Sequence, residues 1–237
     1  MKAIFTLVVL FASISTSIGQ IETSMTPSQQ TININMPISA ELKPNGDVRG
    51  TPLLSEKWMK AAITTWDDKK TPPDDFLYNF NLINNELLAA TSKGSIYTTV
   101  RKAIKTFTLT DGVKEYRFER PKVIDYPSDM FVQVIYQSAV TTVYKGMKKE
   151  LKHSSSSEGM MQTSDPYQEY EETDEYFIYQ PNKTPVKTKR FNLKTLEGFF
   201  PAVKAKAFKD FAAKNKFGNK LSDEDITKAV VFLETPQ

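Results

Sequence analysis

The sequence predicts an α+β fold that is mainly β: an antiparallel meander sheet, free to curl towards a barrel, with two or three C-terminal helices. Three observations carry this. Between about Thr51 and Arg190, short β-branched and aromatic runs alternate with closely spaced turns rich in Gly, Asn and Asp. Beyond residue 191 the apolar residues shift to the three-and-four spacing of a helix. The chain also has 15 Phe, 10 Tyr and 2 Trp but no Cys, so packing rather than disulfides must hold the core.

The N-terminus has its own pattern. Lys2 is the only charged residue among the first nineteen, Ala3–Ala12 is an apolar run interrupted by Thr6, and Ser17-Ile18-Gly19 places small side chains before a cut. Charged, apolar and small, in that order, is the layout of a cleavable signal peptide. The run falls short of the roughly 20 apolar residues of a spanning helix. Residues 1–19 are therefore expected to be removed, leaving an exported chain in the periplasm or at the cell surface, with no transmembrane span in its mature part. Without Cys there is neither a lipid-modified anchor nor a disulfide, which suits a bacterial periplasmic or surface protein.

Residues 20–45 read as a polar arm punctuated by Pro27, Pro37 and Pro44, within which Thr31–Ile34 can pair as a short strand. Residues 46–191 read as the β body. Tyr78, Phe80 and Leu82 group on one face with Leu77 offset, and Asn84-Asn85 turns into Glu86–Thr91. Lys93-Gly94 turns into Ser95–Val100. Ile104–Leu109, the Thr110-Asp111-Gly112 turn and Glu115–Glu119 make a hairpin with Tyr116 and Phe118 on one face. Met130–Tyr136 is the most apolar run and the expected central strand. Val140–Tyr144 follows, and Lys145-Gly146 is expected to turn into Met147–Leu151. Lys152–Pro166, with four consecutive serines, reads as a mobile loop, and Tyr176–Tyr179 with Val186–Arg190 as a last hairpin.

Residues 192–237 read as a helical cap. Leu196, Phe199 and Phe200 have helical spacing but Pro201 interrupts, so one short helix should end near Phe200 and another run from about Pro201 to Asn215. Ser222 with Asp225 in capping-box position starts a final helix whose buried face is Ile226, Ala229, Val230 and Leu233.

Much chemistry is excluded. His153 is the only histidine and sits in the Lys/Ser-rich loop, where nothing is expected to orient it as a Ser-His-Asp site requires. Cys-based catalysis and His/Cys zinc sites are excluded, and no glycine-rich phosphate loop is present. Carboxylates remain. Asp67-Asp68 and Asp74-Asp75 lie in Lys- and Pro-rich turns that favour solvation. The run Asp165–Glu175 reads as a strand edge defended by charge, with a calcium site as the alternative. Lys204, Lys206, Lys209, Lys214, Lys216 and Lys220 read as a solvated helix face, against contact with an anionic membrane or polymer. With 31 Lys and Arg against 28 Asp and Glu there is no nucleic-acid footprint. No residue is assigned as catalytic, cofactor-binding or metal-ligating, and no cofactor is implied.

Gly50-Thr51-Pro52-Leu53-Leu54 with Trp58, the pair Tyr78-Asn79, Tyr144-Lys145-Gly146, and Phe211-Ala212-Ala213-Lys214-Asn215-Lys216 before an acidic capped helix form a set. Over about residues 46–235 the chain resembles a loose group of uncharacterised small exported β-rich proteins of Bacteroidetes-type bacteria. It departs from the group at Leu77, where an arginine often precedes the tyrosine. The resemblance implies a β-rich exported fold in a bacterial envelope and no reaction. The resulting expectation is a non-enzymatic binding or envelope-associated protein, its partner an envelope protein or a polysaccharide. The rivals are a carboxylate-dependent hydrolase acting on carbohydrate and a carrier of an apolar small ligand.

Overall fold

A computed structural model of the chain describes residues 34–37, 48–71, 75–121, 126–154 and 167–235. These residues form an α+β fold, mainly β, built from two sheets, and neither sheet closes into a barrel. The predicted signal peptide and most of the predicted arm lie outside the described residues.

The smaller sheet contains β1 (Ile34–Pro37), β5 (Leu77–Asn81), β6 (Glu86–Ala90) and β7 (Ile96–Thr99), ordered β1-β7-β6-β5 and antiparallel throughout. The larger contains β3 (Lys60–Thr65), β4 (Lys70–Thr71), β8 (Ile104–Thr110), β9 (Glu115–Glu119), β10 (Val132–Gln137), β11 (Thr142–Ser154), β12 (Tyr167–Tyr179) and β13 (Val186–Thr188). Its order is β13-β12-β11-β10-β9-β8-β3-β4, and β2 (Val48–Arg49) joins the start of β12 in parallel.

Residues directly opposite one another in a ladder share a face. Phe107, Phe118, Gln133, Lys145 and Tyr176 thus form one row across the large sheet. At one end of this row the small sheet lies over the large one. Tyr78, Phe80 and Leu82 meet Ile63, Phe107, Phe118 and Phe131 in a first core, where Phe107 stacks on Phe118 at 4.7 Å and Phe80 lies 4.8 Å from Phe118. Asn85, in the β5–β6 turn, ties the sheets together: its amide donates to the Phe131 carbonyl at 2.9 Å and accepts from the Phe131 N–H at 2.7 Å.

At the other end of the row the helices α1 (Leu193–Phe199), α2 (Ala205–Lys214) and α3 (Asp223–Glu234) cover Val143, Tyr176 and Ile178. Their buried faces carry Leu196, Phe208, Ile226 and Val230. The break at Pro201 falls where proline chemistry places it, between the end of α1 and a short 3-10 turn, Ala202–Lys204, that leads into α2. Ser222 caps α3 through the predicted capping box with Asp225. A third cluster, Val132, Tyr144 and Phe177, lies on the reverse face of the large sheet.

Several expectations need correction. One meander was expected, and there are two sheets. The strand Lys60–Thr65 carries little signal in the sequence, because its Ala and Thr residues give a weak alternation. Lys145-Gly146 is not a turn: β11 runs unbroken for 13 residues through it. Gly146 is needed there for room, since a Cβ would sit 2.9 Å from the Tyr126 hydroxyl. The predicted loop 152–166 is too long at its start, because Lys152, His153 and Ser154 pair with Glu169, Gln168 and Tyr167. Residues 155–166 lie outside the described residues.

Candidate functional site

The acidic run and the single histidine come together on the long β11–β12 hairpin. His153 opposes Gln168, whose amide nitrogen lies 3.2 Å from His153 Nδ1. Among the described residues no carboxylate bonds the imidazole, and its position on an exposed strand gives it no buried orienting partner. The acids of β12 face lysines of β11. Glu171 pairs with Lys152, Glu172 lies 4.0 Å from Lys149, and Asp174 lies 3.2 Å from Lys145. On the other side Glu175 pairs with Lys187 at 3.0 Å. Among the described residues no group of three or more potential ligands is placed to hold a metal ion. An open hollow of about 460 Å³ adjoins this hairpin, lined by Lys152, His153, Glu169, Tyr170, Glu171 and Glu172.

A group of enclosed charges lies in the row between the two cores. Lys145, whose side chain is 12% exposed, sits 3.2 Å from Asp174 and 3.7 Å from Asp223 at the start of α3. The Tyr176 hydroxyl donates to Asp223 at 3.1 Å. Burial, followed by the charges of Asp223 and Asp174, pushes the Tyr176 phenol far above its ordinary range. Asp174 Oδ1 is buried with no hydrogen-bond partner among the described residues. Two carboxylates meet here, but one ammonium bridges them and neither described hollow opens on them. The constellation fastens the helical cap to the sheet.

The acid pairs in turns have different surroundings. Asp67 accepts from the Thr65 hydroxyl and pairs with Lys69 at 2.9 Å, and these contacts hold its carboxyl at about 2. Asp68 pairs with Lys105. Asp74 lies outside the described residues, whereas Asp75 faces a second hollow.

That hollow, of about 310 Å³, lies at the end of the small sheet. Tyr78, Ala89 and Tyr97 form one row across β5, β6 and β7, so Tyr97 continues the inner face beyond the first core. Phe76 packs on that core, its ring 6.5 Å from Tyr78. The far wall is the β6–β7 turn, closed by the Thr91 N–H to the Ser95 carbonyl and the Gly94 N–H to the Thr91 carbonyl, both at 2.9 Å. Gly94 takes φ +82°, a conformation that suits glycine, and so the turn presents Ser92 and Lys93 at the rim. Among the described residues no hydrogen bond or ion pair engages the side chains of Asp75, Ser92, Lys93, Ser95 or Tyr97.

The sequence shows Lys93-Gly94 as a turn and Asp75 as one of a pair, but nothing in it brings Phe76 and Tyr97 together. Only the three-strand register does that. Compared with known proteins, the chain matches no family model, no curated protein and no solved structure.

Proposed function

We propose that the protein is an exported, non-enzymatic binding protein of a bacterial envelope, and that the hollow between Phe76 and Tyr97 receives a saccharide. The observation that carries this reading is the pairing of two ring-bearing side chains with five polar side chains that have no partner among the described residues. Asp75, Ser92, Lys93 and Ser95 are exposed at the rim and Tyr97 is half-buried, so all five can reach a ligand seated on the two rings. A sugar ring offers C–H faces for aromatic contact and hydroxyls that both donate and accept. The hollow supplies a carboxylate, an ammonium and hydroxyls around two rings. Its volume reaches the roughly 300 Å³ at which ligand pockets begin. The mixture of rings with polar side chains at the rim suits this class better than a wholly apolar cargo.

Support for the non-enzymatic reading comes from the carboxylates: Asp174 and Asp223 share Lys145, and Glu171 is held by Lys152. The export setting rests on the first nineteen residues and on the resemblance in residues 46–235.

Titration calorimetry against a panel of neutral, acidic and amino sugars and their oligomers tests the proposal. At least one saccharide should bind, and Tyr97→Ala and Lys93→Ala should each weaken it about tenfold, equivalent to ~1.4 kcal/mol. Absence of binding across the panel at millimolar concentrations, or variants that bind as the parent does, defeats it.

A further inference from the structure

The C-terminal cap concentrates exposed lysines with few acids among them. In the body, Lys69, Lys105, Lys145, Lys148, Lys149, Lys152 and Lys187 each lie within 4.0 Å of a carboxylate, while Lys57, Lys60, Lys70, Lys93 and Lys102 are exposed, scattered over separate strands and turns, and form no ion pair among the described residues. In the cap, Lys206, Lys209, Lys214, Lys216 and Lys220 are all exposed, and none forms an ion pair among the described residues. Only one acid, Asp210, lies in the segment from 205 to 220. Lys204 is the exception in this group: its ammonium donates to the carbonyls of Leu233 and Thr235, both at 2.7 Å, and so caps the end of α3.

The helix that carries these charges is held firmly from below. Phe208 is fully buried, and Phe211 stacks on Phe232 of α3 at 4.2 Å. Phe217 stands edge-on to Phe211 at 5.8 Å, so the half-buried rings of the cap are engaged with each other. At 100° per residue, Lys206 and Lys209 share the outward face of α2 with Ala213, and Lys214 flanks it. Lys216 and Lys220 continue the array into the following loop.

We propose that this face docks on an anionic bilayer surface, its lysines lying among the lipid phosphates. The geometry favours a bilayer over a polyanion strand. The lysines stand on the convex outward side of α2, and neither of the two hollows described above touches that helix. The cap also presents no strongly exposed aromatic side chain on which nucleobases could stack. Because the rings are engaged within the fold, attraction is electrostatic, reversible and sensitive to salt. The inference stands apart from the saccharide reading and uses none of its residues.

The test is flotation of the protein, purified in its native processed form, with vesicles of phosphatidylglycerol and phosphatidylcholine and with vesicles of phosphatidylcholine alone. At low salt the anionic vesicles should carry the protein and the neutral ones should not, and 1 M salt should release it as the screening length falls to about 3 Å. Each lysine near an anionic surface contributes ~1 kcal/mol, so Lys206→Gln, Lys209→Gln and Lys214→Gln together should lower partitioning roughly a hundredfold. Asp210→Asn, also on the exposed face, should raise it about fivefold. All four sites are exposed, so circular dichroism should show the variants folded. Equal binding to neutral vesicles, indifference to the lysine changes, or capture by soluble polyphosphate without capture by vesicles would each overturn the assignment.

Discussion

Replacing Lys145 with methionine removes one ammonium from between two carboxylates and leaves the volume nearly unchanged. The side chains of Asp174 and Asp223 are 18% and 28% exposed, so both lose an enclosed cation at once. Breaking a fully buried pair in this way typically costs about 3–5 kcal/mol. Partial exposure reduces that, and Asp223 keeps the Tyr176 hydroxyl as a donor. Asp174 fares worse, since its Oδ1 already has no partner among the described residues. The expected loss is about 2–3 kcal/mol, or a fall of roughly 1 M or more in the urea midpoint at an ordinary slope. Lys148→Met is the control. That lysine is 59% exposed beside Glu150, and an exposed pair is worth at most about 1 kcal/mol. Adding Asp174→Asn to Lys145→Met should recover at least half the loss by removing the stranded charge. Urea unfolding of the four proteins decides the matter. If Lys145→Met costs no more than Lys148→Met, or if the second change recovers nothing, the charges between the cores do not fasten the cap.

Gly146→Ala should destabilise by about 1–2 kcal/mol, because the new methyl meets the Tyr126 ring, itself packed edge-on against Phe177 at 5.0 Å. Combining it with Tyr126→Leu should cost less than the sum of the two, and simple additivity would count against the clash. Tyr176 retains its proton in the fold well beyond the range in which an unfolded phenol loses it, through burial and then the charge of Asp223. Its contribution to stability is therefore complete below about pH 10 and falls as the pH rises beyond that. Phenolate absorbance should show Tyr176 titrating only with alkaline unfolding, a step that Tyr176→Phe removes. Ser222→Ala should lower stability by about 0.5–2 kcal/mol by opening the capping box of α3, measured by thermal unfolding.

The parts of the fold visible in the sequence are those decided within a few residues. Ser222 and Asp225 are three apart, and their box forms as their chemistry requires. Pro201 ends one helix and starts the next region for a purely local reason. The hairpin at Asp111-Gly112 is equally local, with the Asp111 carboxylate accepting from Val113 and Lys114 N–H groups at 2.9 and 2.8 Å. What could not be read depends on distant partners. Gly146 looks like a turn residue until Tyr126 is placed against it. His153 looks like a loop residue until Gln168, fifteen positions on, extends the strand. The candidate binding hollow is hidden for the same reason, since Phe76 and Tyr97 converge only through the register of β5, β6 and β7.

Charge follows the same rule, and it decides which surfaces are free for a partner. In the sequence, Asp165–Glu175 is the most highly charged stretch and attracts suspicion first. In the fold, its strand lies against one that carries Lys145, Lys148, Lys149 and Lys152, so much of its charge is answered from within the chain. The lysines after residue 205 are less dense and are interleaved with alanine and phenylalanine, so they read as an ordinary solvated face. Yet no acidic strand lies beside them, and among the described residues they remain unpaired. A charge satisfied within the molecule has little left for a partner, while a fixed and unsatisfied one attracts counter-charge at the cost of screening alone. The weaker of the two charged stretches is thus the one left with unpaired charge at the surface. The hollow at Phe76 and Tyr97, where one carboxylate and one ammonium offset each other beside uncommitted hydroxyls, is where short-range recognition can be specific.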